Sequence, residues 1–274
     1  MNSKPTGSGE PHRAEHFVQS LERGLAVIRA FSPDTPAMTL SDVARGTGLT
    51  RAAARRFLLT LVDLGYVRTD GRLFSLTPRV LELGFSYLSA ATLPEVAQPH
   101  LERLAAEVRE SSSVSVLDGD DVVYVARVAT SRIMTVGINV GTRFPAYATS
   151  MGRVLLAAAA QPDLDAYLER ADLRPLTAQT MTSRPRLRAE IERVRGQGWA
   201  MVNQELEEGL RSIAAPIRDR AGRTVAAVNV SAHAGRITVE DVRRDLLPPL
   251  LATAARIEAD LEVATRGGRR RVDV

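Results

Sequence analysis

Three arginines lie close together at the start of one helical segment, interleaved with alanines. The stretch GLTRAAARRFLLTLVDL, residues 48–64, places Arg51 and Arg55 four residues apart on one helical face, with Arg56 beside them. Guanidinium groups in the first turns of a helix can bind phosphates and base edges. The second half of this segment is largely apolar, so one face of the helix must pack in a hydrophobic core. The pattern predicts a helix that buries one face and presents its basic turns to DNA; a merely solvated basic face is the alternative.

A shorter helix precedes these arginines. Thr39 with Asp42 three residues later is typical of a capping box, and Gly46 and Gly48 are typical of a helix end. Thr50 can then cap the next helix. Two helices joined by a short, glycine-containing turn predict a helix-turn-helix.

A hairpin follows the helices. The pair Asp70-Gly71 in YVRTDGRLFSL is favoured in tight type I′ turns between two short strands, with Arg72 at the tip. Three helices and a hairpin predict a winged helix-turn-helix, whose second motif helix enters the major groove. The predicted DNA-binding residues are Thr50, Arg51, Arg55, Arg56 and Arg72.

A second group of residues has the chemistry to hold a small ligand. The run SMG at 150–152 opens a helical segment, where free backbone N–H groups can bind a carboxylate. Asn229 and Ser231 alternate along a strand, so both point to one side. Small polar groups on a buried face need partners, which are either a ligand, one another or solvent. The predicted effector-binding residues are Ser150, Met151, Gly152, Ser212, Asn229 and Ser231.

No residue pattern indicates catalysis. The four histidines are dispersed, and the absence of cysteine excludes disulfides, thiolate metal sites and cysteine nucleophiles. The GTGLTR stretch lacks a phosphate-loop lysine and is better explained as the turn of the helix-turn-helix. The three glutamates of QELEEG, residues 204–209, are interpreted as a solvated loop. We therefore predict no enzyme, no cofactor and no metal.

Composition allows two domains and favours a polyanionic partner. The chain has 274 residues, 45% apolar and 25% charged, enough for a sizeable core. Residues 1–90 carry 11 Lys+Arg against 8 Asp+Glu, and residues 266–274 carry 4 against 1. No apolar run approaches the length of a membrane span, and the start does not resemble a secretory signal. A soluble, cytoplasmic protein is predicted.

Changes in composition and hydrophobic pattern along the chain predict five segments and an α+β fold. Residues 1–15 are polar and rich in Gly, Pro and Ser, which predicts a disordered tail. The winged helix-turn-helix covers 16–77, a linker helix 78–93, and a basic tail 266–274. Strand and helix patterns alternate over 94–265, predicting an antiparallel-sheet, effector-binding and oligomerisation domain of GAF/PAS-like type.

This order of elements resembles the IclR family of bacterial transcriptional regulators, over roughly residues 17–263. The motifs that carry the resemblance are SLERGLAVIRAF, GLTRAAARRFLLTLVDLGYV, FSLTPRVLELG, YATSMGRVLLA and GLRSIAAPIRD. More narrowly, RAAARRFLLTL, RIMTVGINVGTRFPAYATSMGR and NQELEEGLRSIAAPI are similar to the group that regulates protocatechuate, 4-hydroxybenzoate and β-ketoadipate catabolism (PcaR, PcaU and PobR).

The resemblance implies a regulator that binds double-stranded operator DNA as a homodimer or as a tetramer of two dimers. It implies a small carboxylate effector, an aromatic acid or a β-ketoadipate-pathway metabolite. The Ser150 and Met151 amides, together with Ser212 or Ser231, would hold the carboxylate, with Phe144 against a ring. Glu205 matches a recurrent position nearby. Family positions add four residues to the predicted effector site: Ile133, Val136, Phe144 and Arg211.

Two departures from the family pattern qualify these expectations. Ala52-Ala53 stands where many members have Ser-Thr, which shifts DNA contacts to the arginines. Ser150-Met151 stands where glycine or alanine is usual, which narrows the cavity, so the effector cannot be copied across. A regulator responding to a keto acid, a DNA-binding oligomer without a ligand, and an enzyme fused to a DNA-binding domain remain as alternatives.

Overall fold

A computed structural model describes most of the chain: residues 17–32, 34–83, 92–130 and 137–268. The chain divides into two compact units between residues 89 and 90. None of the described helices is both long and apolar enough to cross a membrane.

The described residues of the N-terminal unit form three α-helices and a three-stranded antiparallel sheet, with strand order β1-β3-β2. Its elements are α1 (Gln19–Arg29), β1 (Ala37–Thr39), α2 (Leu40–Thr47), α3 (Arg51–Asp63), β2 (Val67–Thr69) and β3 (Leu73–Leu76). This is the predicted winged helix-turn-helix. Strand β1 was not predicted from the sequence; it widens the wing by pairing with β3.

The predicted signals that limit helix α2 are present. The Thr39 hydroxyl accepts a hydrogen bond from the Asp42 amide, and the Asp42 side chain accepts one from the Thr39 amide. Gly48 ends the helix with a φ of 68°, in the left-handed region that favours glycine. Helix α3 then buries Ala54 and Leu58 completely, in the core of the N-terminal unit.

The C-terminal unit is an antiparallel sheet covered by helices on both faces. Its elements are α4 (Thr92–Val108), β4 (Ser111–Asp118), β5 (Asp121–Val128), β6 (Arg143–Pro145), α5 (Ser150–Ala158), α6 (Gln161–Arg170), α7 (Arg184–Gln197), β7 (Ala200–Asn203), β8 (Leu210–Arg218), β9 (Thr224–His233) and α8 (Leu247–Gly268). The strand order is β6-β5-β4-β9-β8-β7, with every neighbouring pair antiparallel.

Strand alternation gives the sheet two distinct faces. Ala214 and Ala227 pack in one core cluster with helices α5, α6 and α7. Ile213 and Val228, their neighbours along β8 and β9, pack in another cluster with α4 and α8. Successive strand residues point to opposite faces, so residues 212, 229 and 231 share the α5 face.

The ends of the predicted segments fall partly outside the described residues. The tail 1–15 is not described, and neither are residues 84–91 of the predicted linker helix. Within that linker, Pro78–Leu81 forms a 3₁₀ turn, and α4 begins at Thr92. Helix α8 reaches Gly268, three residues into the predicted basic tail.

Candidate functional site

The N-terminal turns of helix α3 present the predicted basic residues. The Thr50 hydroxyl accepts a hydrogen bond from the Ala53 amide at 3.2 Å and so begins the helix. Arg51, Arg55 and Arg56 are all exposed. Within the described part of the chain, none of these three guanidinium groups has an ion-pair partner. They are therefore free to bind an anion.

Two of these arginines meet the wing across one groove. Arg51 and Arg55 line it on the side of α3, and Arg72 lines it on the side of the wing. The floor comes from α2 and the small sheet, and includes Ser41 and Phe74. Arg56 is exposed beside this groove rather than on its wall. The structure thus brings three of the predicted arginines to one concave, basic surface.

The wing turn differs from the predicted type I′ turn. Such a turn needs positive φ at both central residues, and in the wing only Gly71 has one, at 95°. Instead, the Asp70 carboxylate accepts hydrogen bonds from the amides of Arg72 (2.9 Å) and Leu73 (2.7 Å). These bonds hold the pKa of Asp70 below its usual value and fix the backbone that carries Arg72.

In the C-terminal unit, helix α5 begins directly against a 3₁₀ turn, Ala146–Ala148. The Thr149 hydroxyl accepts the Gly152 amide at 3.0 Å. A Cβ atom on Gly152 would lie 2.2 Å from the Ala146 carbonyl oxygen. Gly152 is therefore needed for close packing, and its amide is already occupied, which removes it from the predicted effector site.

Four of the predicted effector-binding residues form one buried polar cluster. Asn229 Nδ2 donates to Ser212 Oγ and to Ser231 Oγ, both at 2.9 Å. Ser231 Oγ donates to Ser212 Oγ at 3.3 Å, and Ser150 Oγ lies 2.7 Å from Ser212 Oγ. Because Ser212 already accepts two bonds, its own proton goes to Ser150.

The cluster is not self-sufficient. Asn229 Oδ1 is buried and has no hydrogen-bond partner among the residues that the structure describes. With Ser212 donating to Ser150, the proton of Ser150 is also left for an external acceptor. The two predicted kinds of partner, one another and a ligand, therefore both apply. The four side chains bond one another, and Asn229 Oδ1 as acceptor and the Ser150 hydroxyl as donor remain for a ligand.

A small cavity adjoins this cluster. It has a volume of about 20 Å³, room for roughly one water. Its described lining residues are Tyr124, Ile138, Ala148, Thr149, Ser150, Met151, Val202, Leu206, Leu210, Ser212, Asn229 and Ser231. The wall is mostly apolar, and its polar groups come from the sheet (Ser212, Asn229 and Ser231) and from the start of α5 (Thr149 and Ser150).

The remaining predicted effector residues lie elsewhere or outside the described part. Ile133 and Val136 are outside the described residues. Phe144 packs edge-on against Tyr124, with ring centroids 5.7 Å apart, and so stands behind a lining residue. Arg211 lies on the opposite sheet face from Ser212, where its guanidinium donates to Asn203 Oδ1 and to the Ile237 carbonyl. The structure does not bring Arg211 to the cavity.

Sequence reasoning missed a buried ion pair next to the cavity. Arg153 of α5 is 1% exposed, and its Nη2 lies 2.6 Å from Glu205 Oε2. Glu205 is 8% exposed, so the interpretation of QELEEG as a solvated loop is wrong at this position. A charged residue inside the apolar run SMGRVLLAA was the available signal, because a buried arginine needs a partner.

Sequence reasoning also missed Arg127 of β5. Its Nη1 donates to Ser113 Oγ at 3.0 Å, whereas its buried Nε has no hydrogen-bond partner in the described part of the chain. Burial lowers the pKa of this guanidinium. Nearby Tyr124 is fully neutral at physiological pH, because burial raises the pKa of its hydroxyl to about 12.

No group of three potential metal ligands occurs among the described residues. His100 is buried between α4 and α8, where its Nε2 lies 2.8 Å from Asp260 Oδ2, and His233 is at the exposed end of β9. Neither histidine is among the described residues that line the cavity, although His233 pairs across the sheet with the lining residue Leu210.

A winged helix-turn-helix followed by a sheet domain with a partly polar cavity is the arrangement expected of a ligand-sensing DNA-binding regulator. Family models agree: the IclR helix-turn-helix domain matches residues 20–71, and the C-terminal domain of the bacterial transcriptional regulator IclR matches residues 85–259. The chain belongs to the IclR family of transcriptional regulators. It is a DNA-binding regulator and not an enzyme.

Individual relatives cover nearly the whole chain. The Pca regulon regulatory protein of Pseudomonas putida is 48% identical over 87% of this chain and 82% of its own length. A transcriptional regulator from Rhodococcus sp. RHA1 has a solved structure with a TM-score of 0.80 and 64% identity, covering 89% of this chain and 98% of its own. An IclR homologue from Microbacterium hydrocarbonoxydans, solved with 4-hydroxybenzoate, has a TM-score of 0.79 and 28% identity, covering 89% and 99%.

Proposed function

We propose that this regulator binds operator DNA through α3 and the wing, and that a hydroxylated aromatic acid in the cavity beside α5 controls that binding. The genes under control would be those of aromatic catabolism. The Pseudomonas putida relative is named for the Pca regulon, and the Microbacterium homologue holds 4-hydroxybenzoate, which supports this class of effector.

The DNA-binding part of the proposal rests on Arg51, Arg55 and Arg72. Their convergence on one groove places positive charge on both the helix and the wing. A helix in the major groove reads base edges with its first turns, and guanidinium groups bind guanine and phosphate well. Thr50 and Arg56 complete the proposed contact surface, since both lie at the same exposed helix end.

The effector part rests on one observation: Asn229 lines a mostly apolar cavity, and its buried Oδ1 has no hydrogen-bond partner among the described residues. A ring hydroxyl would donate to this oxygen, and the ring would contact apolar lining residues such as Met151 and Leu206. A buried unsatisfied acceptor costs about 1–3 kcal/mol, which a hydroxylated ligand recovers on binding.

The size of the cavity requires a lining side chain to move. A volume of about 20 Å³ is far below the 300 Å³ or more of typical small-molecule pockets. Met151 is the best candidate, because a thioether chain with three rotatable bonds repacks easily. Its sulfur also accepts a weak hydrogen bond from Ser115 Oγ at 3.2 Å, which ligand entry would break.

The same small volume favours a second candidate, a compact keto acid. Pyruvate or glyoxylate would need less expansion of the cavity than a benzene ring. Such an acid would leave the apolar wall poorly filled, however, and it has no hydroxyl to donate to Asn229 Oδ1. A direct comparison of the two ligand classes therefore decides between them.

We also propose that the regulator is a homodimer or a pair of dimers, acting in the cytoplasm where its DNA lies. Val18, Leu21 and Leu25 occupy one face of α1 and are 58%, 63% and 48% exposed. A second copy would cover this face in an isologous contact. Sedimentation of the wild type and of Leu21→Glu tests it; a monomeric wild type contradicts the proposal.

The functional proposal is tested by binding to DNA that the wild-type protein selects from a random-sequence pool. Fluorescence anisotropy would be recorded with protocatechuate, 4-hydroxybenzoate, β-ketoadipate, pyruvate or glyoxylate added. We expect one of the hydroxylated aromatic acids to change the dissociation constant for DNA. A change in this dissociation constant with pyruvate or glyoxylate alone favours the second candidate. An unchanged dissociation constant with every acid contradicts both candidates.

A further inference from the structure

Arg127 belongs to a row of three side chains that crosses the α5 face of the sheet. Ser113 of β4 is directly opposite Arg127 of β5 and also directly opposite Asn229 of β9. Arg127 donates to Ser113, as described above, and Asn229 lines the cavity. Because neighbouring strands are about 4.8 Å apart, the backbones of Arg127 and Asn229 are separated by about 10 Å.

The positive charge of Arg127 has no counter-ion in the described part of the chain. No carboxylate there lies within ion-pair distance of its guanidinium, and the buried Nε makes no hydrogen bond. Tyr124 cannot supply a negative charge, because its hydroxyl stays protonated. A partly buried cation without an anion is unfavourable, so a ligand anion placed here would be bound favourably.

The other buried arginines of this unit are already satisfied. Arg153 lies 2.6 Å from Glu205 and 3.9 Å from Glu190. Arg211 donates to Asn203 and to a backbone carbonyl on the far face of the sheet. Of these three guanidinium groups, only that of Arg127 combines an unsatisfied donor with a position on the cavity face.

We infer that Arg127 binds the carboxylate of the effector and thereby sets its orientation. With the carboxylate at Arg127, the ring extends across Ser113 and its hydroxyl meets Asn229 Oδ1. This inference rests on the proposed function, because it assumes an acid in this cavity. It replaces the sequence-based expectation that the Ser150 and Met151 amides hold the carboxylate. The preference for an acid over a neutral ligand would then come from Arg127 of β5.

The test compares two ligands that differ in charge and three protein variants. Isothermal titration of the full-length protein would use 4-hydroxybenzoate and its neutral analogue 4-hydroxybenzamide. The variants are Arg127→Gln, Arg127→Lys and the control Arg186→Gln, which removes an exposed arginine from α7. Melting without ligand checks that each variant is folded.

We expect Arg127→Gln to raise the dissociation constant for 4-hydroxybenzoate at least about tenfold, which is the scale of one charge-assisted hydrogen bond. The same variant should change the dissociation constant for 4-hydroxybenzamide by less than about twofold. Arg127→Lys should retain part of the preference for the acid over the amide. Arg186→Gln should bind both ligands like the wild type. If Arg127→Gln does not fold, Arg127→Lys carries the test. Its preference for 4-hydroxybenzoate over 4-hydroxybenzamide must then be smaller than that of the wild type.

Three results would overturn the inference. Unchanged 4-hydroxybenzoate binding by Arg127→Gln would return the carboxylate to the first turn of α5. Equal weakening of acid and amide would make Arg127 a determinant of cavity shape only. A wild type that binds neither ligand would contradict the proposed aromatic effector itself, which distinguishes that failure from the first two.

Discussion

Arg153 of helix α5 and Glu205 of the β7–β8 loop form a buried ion pair that ties the cavity's helix to its loop. Glu205 Oε2 also accepts the Met181 amide at 2.9 Å, and Arg153 Nε donates to the Tyr147 carbonyl at 3.0 Å. The loop carries Leu206, which lines the cavity. The ion pair therefore holds one wall of the cavity against the other.

Breaking this pair from one side should be strongly destabilising. We expect Arg153→Met to lower the free energy of unfolding by about 3–5 kcal/mol, because Glu205 is left buried and unpaired. Glu205→Gln should cost less, since Arg153 keeps Glu190 at 3.9 Å and the Tyr147 carbonyl. Urea unfolding of both variants measures the difference.

The double variant Arg153→Met/Glu205→Leu provides the control for this prediction. Removing both charges avoids an isolated buried ion, so its destabilisation should fall well short of the sum of Arg153→Met and Glu205→Leu. Additivity to within about 0.5 kcal/mol would mean that the two side chains do not interact.

Removing Arg55 should weaken DNA binding without affecting folding. Its guanidinium is exposed, free of described ion-pair partners and on the wall of the basic groove. We expect Arg55→Ala to raise the dissociation constant for the selected DNA by about 10- to 100-fold, or about 1–3 kcal/mol. Electrophoretic mobility shifts at fixed salt would measure it.

Arg186→Ala is the matched control for Arg55, because it removes the same charge from the C-terminal unit. It should bind DNA within about twofold of the wild type. Full sequence-specific binding by both Arg55→Ala and Arg56→Ala would contradict the assignment of α3 as the recognition helix.

The contact between Gly152 and the preceding 3₁₀ turn should tolerate no side chain. A Cβ atom there would overlap the Ala146 carbonyl at 2.2 Å, and backbone cannot yield as a flexible side chain does. We expect Gly152→Ala to destabilise the protein by about 1–3 kcal/mol or more, measured by thermal melting.

Gly196 provides the opposite case within a helix. No atom lies within 4 Å of its would-be Cβ, so Gly196→Ala should raise stability by about 0.5–1 kcal/mol through helix propensity. A Gly152→Ala protein as stable as Gly196→Ala would show that α5 does not pack on the turn as described.

Local patterns predicted local structure well. The capping box at Thr39, the cap at Thr50 and the buried face of α3 all follow from spacing along one helix. The alternation of Asn229 and Ser231 correctly placed both on one side of β9. The same alternation excludes Arg211 from the side of Ser212, a consequence that the family resemblance obscured.

What sequence could not provide were partners distant along the chain. Glu205 lies 52 residues from Arg153, and no spacing rule joins a helix to a loop that far away. Arg127 lies in no distinctive motif, because its importance comes from having no acidic neighbour in space among the described residues. Gly152 is a different case, because Ala146 is only six residues away but no sequence rule shows that the 3₁₀ turn brings its carbonyl against this glycine.

The most direct test of the effector cavity is thermal melting of the wild type and of Ser150→Trp with 4-hydroxybenzoate and protocatechuate. At 100 times its dissociation constant, a ligand should add about 2.7 kcal/mol of stability to the wild type. Ser150 is 2% exposed on the cavity wall, so an indole there should occupy the space that the ligand must open and abolish the shift while DNA binding remains. An equal shift in a folded Ser150→Trp protein would place the effector elsewhere and contradict the account.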